Sequence, residues 1–127
     1  MTITNFSPLI VTKEAASMIA LFEALGFEKR HTKTEINDED ISSTTMKYTT
    51  EDGKEFYMTI SEAPVPQDMA SIRMNVRNFD EAYKQFLDNG FKNAQGDRIT
   101  DTGSSKSTML IAPSGFTITV TEHIRKD

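Results

Sequence analysis

Cysteine is absent from this chain, and so is tryptophan. Without cysteine there is no disulfide framework, no thiolate metal ligand and no thiol nucleophile. Without tryptophan, and with three tyrosines, the surface that could stack on a planar aromatic ligand is small. Histidine is scarce too, at two residues. No apolar run approaches the roughly 20 residues that span a bilayer as a helix. The segment Met1-Thr2-Ile3-Thr4-Asn5 has neither the basic region nor the apolar stretch of a secretory signal, so a cytoplasmic location is the expectation. There is no basic cluster, and a net charge of −5 disfavours binding to nucleic acid. The same balance mildly favours cationic small molecules.

What is present is the composition of an ordinary globular protein, 37% hydrophobic and 26% charged. At 127 residues, one domain with a real core is expected. The chain also nearly repeats itself. Phe56-Tyr57-Met58-Thr59-Ile60-Ser61-Glu62 returns as Phe116-Thr117-Ile118-Thr119-Val120-Thr121-Glu122. Leu21-Phe22-Glu23-Ala24-Leu25-Gly26-Phe27 returns as Gln85-Phe86-Leu87-Asp88-Asn89-Gly90-Phe91. Two echoes in the same order indicate two copies of one module, 1–63 and 67–127, joined by the stiff linker Pro64-Val65-Pro66.

Each copy reads as strand, helix and three strands. The first strand spans about 3–12, interrupted at Pro8. A helix over about 13–25 carries Ala15, Met18, Ile19, Phe22 and Leu25 at helical spacing, and Gly26 stops it. Strands follow at about 28–36, 41–49 and 55–62. In the second copy a strand at 70–77 precedes Asn78-Phe79-Asp80-Glu81, a capping-box pattern. Phe79, Ala82, Tyr83, Phe86 and Leu87 form the buried stripe of its helix, and Gly90 ends it. Strands are expected at 96–101, 106–112 and 115–123. Asp52-Gly53 and Pro113-Ser114-Gly115 mark the hairpin turns.

In the last strand of each copy, Phe56, Met58 and Ile60, and Phe116, Ile118 and Val120, share one face. Helices need that apolar face. Tyr57, Thr59 and Ser61, with Thr117, Thr119 and Thr121, then point the other way, toward solvent or a cavity. For an antiparallel sheet, solvent is the default. The third strand is open to two readings. A two-residue Asp52-Gly53 turn puts Met46 and Tyr48 beside Tyr57 and Thr59. A three-residue Glu51-Asp52-Gly53 loop puts them in the core beside Phe56 and Met58, and Lys47 on the other face. The matching apolar residues favour the core.

Paired β-α-β-β-β modules of this size resemble the vicinal oxygen chelate superfamily, which includes glyoxalase I, extradiol dioxygenases and bleomycin-resistance proteins. Leu21–Phe27 is similar to its F-Y-x-x-x-L-G-F pattern, and Ala112-Pro113-Ser114-Gly115-Phe116-Thr117-Ile118 to its D-P-x-G-x-x-I. The resemblance covers nearly the whole chain and implies an α+β fold, a curved mixed sheet with helices on its outer face. It also implies a homodimer. Metal-using members take a His or Gln from the first strand and a Glu from the last strand of each module. Family spacing places those positions near Ser7, Ser71, Thr59 and Thr119, and neutral hydroxyls are poor ligands for such ions. Glu62 and Glu122 lie three positions further on, which puts them on the opposite face. No metal and no other cofactor is therefore expected.

Other candidates are weaker. His31 and His123 sit among basic residues that would repel a cation. Asn37-Asp38-Glu39-Asp40 resembles part of a calcium loop but lacks its glycine and distal Glu. The polar stretch from Gln95 to Ser107 has no phosphate-loop pattern, and no G-x-S-x-G elbow marks a serine nucleophile. Alternation leaves Ser7, Leu9 and Val11 on one strand face, Ser71, Arg73 and Asn75 on its counterpart, and Tyr57, Thr59, Thr117 and Thr119 beside them. These ten are the expected ligand-binding residues. An inward Arg73 would imply a carboxylate or phosphate partner from ligand or protein.

Three functions remain in view. The first is a metal-independent small-molecule binder similar to bleomycin-resistance proteins, with a cationic drug suited to the net charge and no bond broken. The second is a metal-dependent lyase, isomerase or dioxygenase of the same superfamily. The third is a non-catalytic, dimeric interaction module.

Overall fold

The computed structural model describes residues 2–33 and 42–124. Among them the chain forms β1 (Ile3–Thr12), α1 (Ala15–Ala24), β2 (Glu28–Lys33), β3 (Ser42–Thr49), β4 (Glu55–Glu62) and β5 (Met69–Val76). It continues with α2 (Phe79–Asp88), β6 (Lys92–Asn93), β7 (Thr100–Asp101), β8 (Ser105–Ile111) and β9 (Thr117–His123). The α+β class read from the sequence is observed. The chain divides into two compact units, residues 7–70 and residues 71–127 with 1–6. In the first, strands run β2-β3-β4-β1; in the second, β5-β9-β8-β6, with β7 also on β8. The pairs β1–β4 and β5–β9 are parallel and the others described are antiparallel, so the pairing is mixed.

The two echoes specify the start and the end of each helix. Glu62, the last residue of β4, accepts the Ala15 N–H at 2.8 Å. Glu122 accepts the Phe79 N–H at 2.7 Å. The parallel register explains the reach. Thr12, just before α1, lies opposite Glu62. Asn75, near the end of β5, lies opposite Thr121, the neighbour of Glu122. Each carboxylate thus satisfies an orphan donor at the positive end of a helix dipole. Asn78 adds its side-chain oxygen as acceptor for the Glu81 N–H at 3.0 Å.

At the other end, Gly26 N–H donates to Glu23 O and Phe27 N–H to Phe22 O. Gly90 N–H donates to Leu87 O and Phe91 N–H to Phe86 O in the same way. Both are Schellman motifs, with Gly26 at φ 108° and Gly90 at φ 90°. The hydrophobic contact that accompanies this motif is aromatic here. Phe22 and Phe27 meet edge-on with centroids 5.4 Å apart, and Phe86 and Phe91 at 4.9 Å.

Each helix buries its stripe on its own unit's sheet. Ala15 packs with Met46, Met58 and Ile60, flanked by Met18, Ile19 and Phe22. Phe79 and Ala82 pack with Met74, Val76, Leu110 and Val120, flanked by Tyr83 and Phe86. The stripes are one residue shorter than expected. Leu25 is 58% exposed and Leu87 42%. Leu25 is the C-cap of α1, already turning off the sheet, and Leu87 lies in the last turn of α2.

The ambiguous third strand takes the core reading. Thr50 N–H bonds Lys54 O, closing Glu51-Asp52-Gly53 as a loop with Gly53 at φ 89°. Met46 then lies opposite Met58 and Tyr48 opposite Phe56. The strand expected at 96–101 does not form over that length. Only Thr100–Asp101 pairs with β8, and Lys92–Asn93 pairs nearer the helix. Asn93 is the reason. Its amide nitrogen donates to Arg98 O and Tyr83 Oη, and its oxygen accepts from Gln95 N–H and Thr108 Oγ1. These bonds replace ladder bonds and fold residues 94–98 into turns. Among the described residues no helix is long and apolar enough to cross a membrane.

Candidate functional site

The expected ligand-binding residues fall into one patch in each unit. In the first unit, Ser7, Leu9 and Val11 are all buried on β1. Leu9 lies opposite Thr59 in the parallel register, and Thr45 lies opposite Thr59 on its other side. Thr59 is 1% exposed. At Thr59 the hydroxyl-bearing face is therefore covered, and the solvent default does not hold there. Tyr57 differs from these neighbours. It is 39% exposed, and its hydroxyl donates to Glu55 Oε2 at 3.1 Å. Lys47, on the same face, forms an ion pair with that carboxylate oxygen. The Lys47 hydrogen bond first, then that of Tyr57, holds the Glu55 carboxyl below the usual carboxylate range.

In the second unit, Ser71 is 6% exposed and Thr117 is also buried. Their hydroxyls are committed to each other: Thr117 Oγ1 donates to Ser71 Oγ at 2.8 Å, and Ser71 Oγ donates to Thr117 O at 2.6 Å. The next row is different. Arg73 lies opposite Thr119 on β9, and Met109 of β8 lies opposite Thr119 on the other side. Thr119 Oγ1 is buried without a hydrogen-bond partner among the described residues. The Arg73 Nε–H reaches Asn75 Oδ1 at a long 3.4 Å. Among the described residues no carboxylate pairs with Arg73. Burial pushes its guanidinium below its ordinary pKa, though an arginine at such a site stays charged.

These residues do not fit the divalent ion that the fold's metal-using members hold. The positions near Ser7, Thr59, Ser71 and Thr119 offer neutral hydroxyls, and that of Ser71 is already bonded to Thr117. Glu62 and Glu122 are engaged as helix caps on the apolar side. Arg73 adds positive charge in register with Thr119. Among the described residues, no three His, Asp or Glu side chains converge.

Sequence reasoning did not find the helix-capping role of Glu62 and Glu122, although their identical place at the end of both echoes was the signal. It also did not find the Lys47–Glu55–Tyr57 cluster, which depends on the β3–β4 register. His123 is exposed at the end of β9 opposite Ser105. The calcium-like fragment at 37–40 and the side chain of His31 lie outside the described residues.

No family model and no curated protein matches the sequence. Solved structures do match the fold. A variant of Streptomyces coelicolor methylmalonyl-CoA epimerase in complex with 2-nitronate-propionyl-CoA aligns with a TM-score of 0.72 at 17% identity, over 98% of this chain and 100% of that one. A methylmalonyl-CoA epimerase in complex with methylmalonyl-CoA and NH4+ aligns at 0.68 and 18% identity, over 96% of each chain. A glyoxalase/bleomycin resistance protein/dioxygenase superfamily member from Vibrio splendidus aligns at 0.54 and 17%, over 97% of this chain and 100% of that one. The likeness is one of fold, and the fold is the one its sequence motifs point to.

Proposed function

We propose that this chain, which has the vicinal oxygen chelate fold, binds a small organic molecule reversibly and does so without a metal ion. The observation that carries this reading is the covered polar strand face. In one unit Ser7 and Thr59 are buried beside Leu9 and Val11; in the other, Ser71 and Thr117 are buried on a strand face that also bears Arg73, Asn75 and Thr119. Ser71 and Thr117 satisfy each other, but among the described residues Thr119 Oγ1 has no partner and Arg73 no carboxylate, and the cost of burying such groups unmet supports a ligand at that row. The epimerase structures of similar fold hold CoA esters, which supports a small-molecule role for this architecture. A homodimer in the manner of the bleomycin-resistance branch belongs to the same reading.

An enzyme of the superfamily is the second reading, favoured by the full-length likeness to the epimerases. Proton transfer would need a positioned acid or base. The patch residues include no His, Asp or Glu, and Glu55 sits at the exposed edge of the first patch.

Thermal-shift screening of the purified protein, followed by calorimetry, tests the first reading with neutral, anionic and cationic compounds of comparable size. Saturable one-to-one binding with the compound recovered unchanged is the expected result. Turnover of a bound compound would favour the enzyme. Absence of saturable binding in every charge class would sink the binding reading.

A further inference from the structure

We propose that Arg73, with Asn75 and Thr119, anchors the oxyanion of a small organic acid or phosphate ester. This rests on the small-molecule reading above and names the charge class of its ligand. A guanidinium carries five N–H donors in a planar fork. Among the described residues only its Nε–H is engaged, weakly, with Asn75 Oδ1 at 3.4 Å. The two terminal nitrogens, which form the bidentate pair with carboxylate or phosphate, meet no carboxylate among the described residues. Arg73 is half-buried, so it is partly desolvated yet still reachable. A charge in that position is expensive unless a counter-charge arrives.

The second observation is independent. Thr119 is the described residue whose buried side-chain oxygen has no hydrogen-bond partner, and it lies opposite Arg73 across the β5–β9 ladder. An oxyanion that reached this row would give that hydroxyl the acceptor it lacks. Both unmet groups therefore sit in one row of one sheet face. The hydroxyls in the row below, Ser71 and Thr117, satisfy each other and have no such vacancy. Met109 and Ile111 of β8 lie on the same face, opposite Thr119 and Thr117. They suit an apolar body behind the anionic head.

This inverts the preference for cations that the net charge of −5 favours. Net charge acts through a field screened within roughly 8 Å at physiological ionic strength, whereas contact selectivity is set by the nearest group. The nearest charged group here is a cation.

The test follows the Arg73 side-chain Nε–H by NMR in chloride-free buffer while acetate, benzoate or inorganic phosphate is added, with benzamide and tetramethylammonium as neutral and cationic controls. Saturable movement of that resonance by benzoate or phosphate, and not by benzamide or tetramethylammonium, is expected. The carboxylate and phosphate arms decide between the two sources of the oxyanion. R73Q should weaken binding of the effective anion at least tenfold, and R73K should do so less, because it keeps the charge but loses the fork. Far-UV circular dichroism on both variants guards against misfolding, and the R73K comparison stands even if R73Q fails to fold. If the protein binds benzamide or tetramethylammonium saturably and R73Q leaves that unchanged, the anchor is wrong while the small-molecule reading survives. If the Arg73 resonance is unmoved by all five probes to 100 mM and no screened compound binds, both fall.

Discussion

Two side chains carry most of the residue-scale information. Thr119 holds a buried hydroxyl that has no hydrogen-bond partner among the described residues. An orphaned buried polar group costs about 1–3 kcal/mol, and an isosteric apolar replacement removes that cost. Thr119→Val should therefore stabilise the ligand-free protein by about 1 kcal/mol in urea denaturation, and a loss of stability would show that the hydroxyl has a structural partner. Glu55 is the complementary case, a surface carboxylate whose folded pKa is depressed by Lys47 and then Tyr57. A depressed carboxyl contributes stability above its unfolded pKa, and this is lost as pH falls through the lower folded value. The Glu55 side-chain carbon should titrate below 4.5 by NMR, and Lys47→Met should return the midpoint toward 4.5. The identities of these residues were legible in the sequence; their partners were not. Lys47 reaches Glu55 only because a three-residue loop sets the β3–β4 register.

At the scale of the element, both helices are specified at their ends by the repeated heptapeptides. The stop is local: a glycine in left-handed conformation followed by phenylalanine, which sequence reasoning finds directly. Gly26→Ala should cost more than Gly90→Ala. Both incur the roughly 1–2 kcal/mol of a left-handed non-glycine residue. At Gly26 the added Cβ would also come within 2.9 Å of the Tyr48 ring, whereas at Gly90 the nearest side-chain atom is 3.5 Å away. Thermal melts of the two variants check the order. The start is tertiary, since Glu122 caps a helix 43 residues earlier in the chain. Glu122→Ala should destabilise by about 1 kcal/mol, the usual value of a lost N-cap, and Glu62→Ala by a similar amount. Chemical denaturation of both variants, beside Asn78→Ala, would show whether α2 depends equally on its local and its distant cap. The failed strand at 96–101 has the same lesson. Periodicity in a polar segment is weak, and one buried Asn93 with four hydrogen-bond contacts outweighed it.

For the whole molecule, the fold was legible because it is written twice, and the repeat gave helix stripes, turns and hairpins a mutual check. A metal-free state is the expectation at this scale. Melting temperature should be the same with EDTA, Zn²⁺ or Mn²⁺ to within about 1 °C, since an ion that binds only the native state must raise it. A stoichiometric metal in the purified protein, or a large Zn²⁺-dependent rise, would overturn that. The sequence by itself determined most of the elements, their order and the hydroxyls at Ser7, Thr59, Ser71 and Thr119, because periodicity, caps and residue chemistry are local properties. Only the tertiary structure decided that Thr59, Ser71 and Thr117 are buried, that Glu62 and Glu122 serve the helices, and that no described carboxylate pairs with Arg73. Burial and pairing depend on which distant strands lie side by side, and ladder register, not sequence spacing, fixes those neighbours.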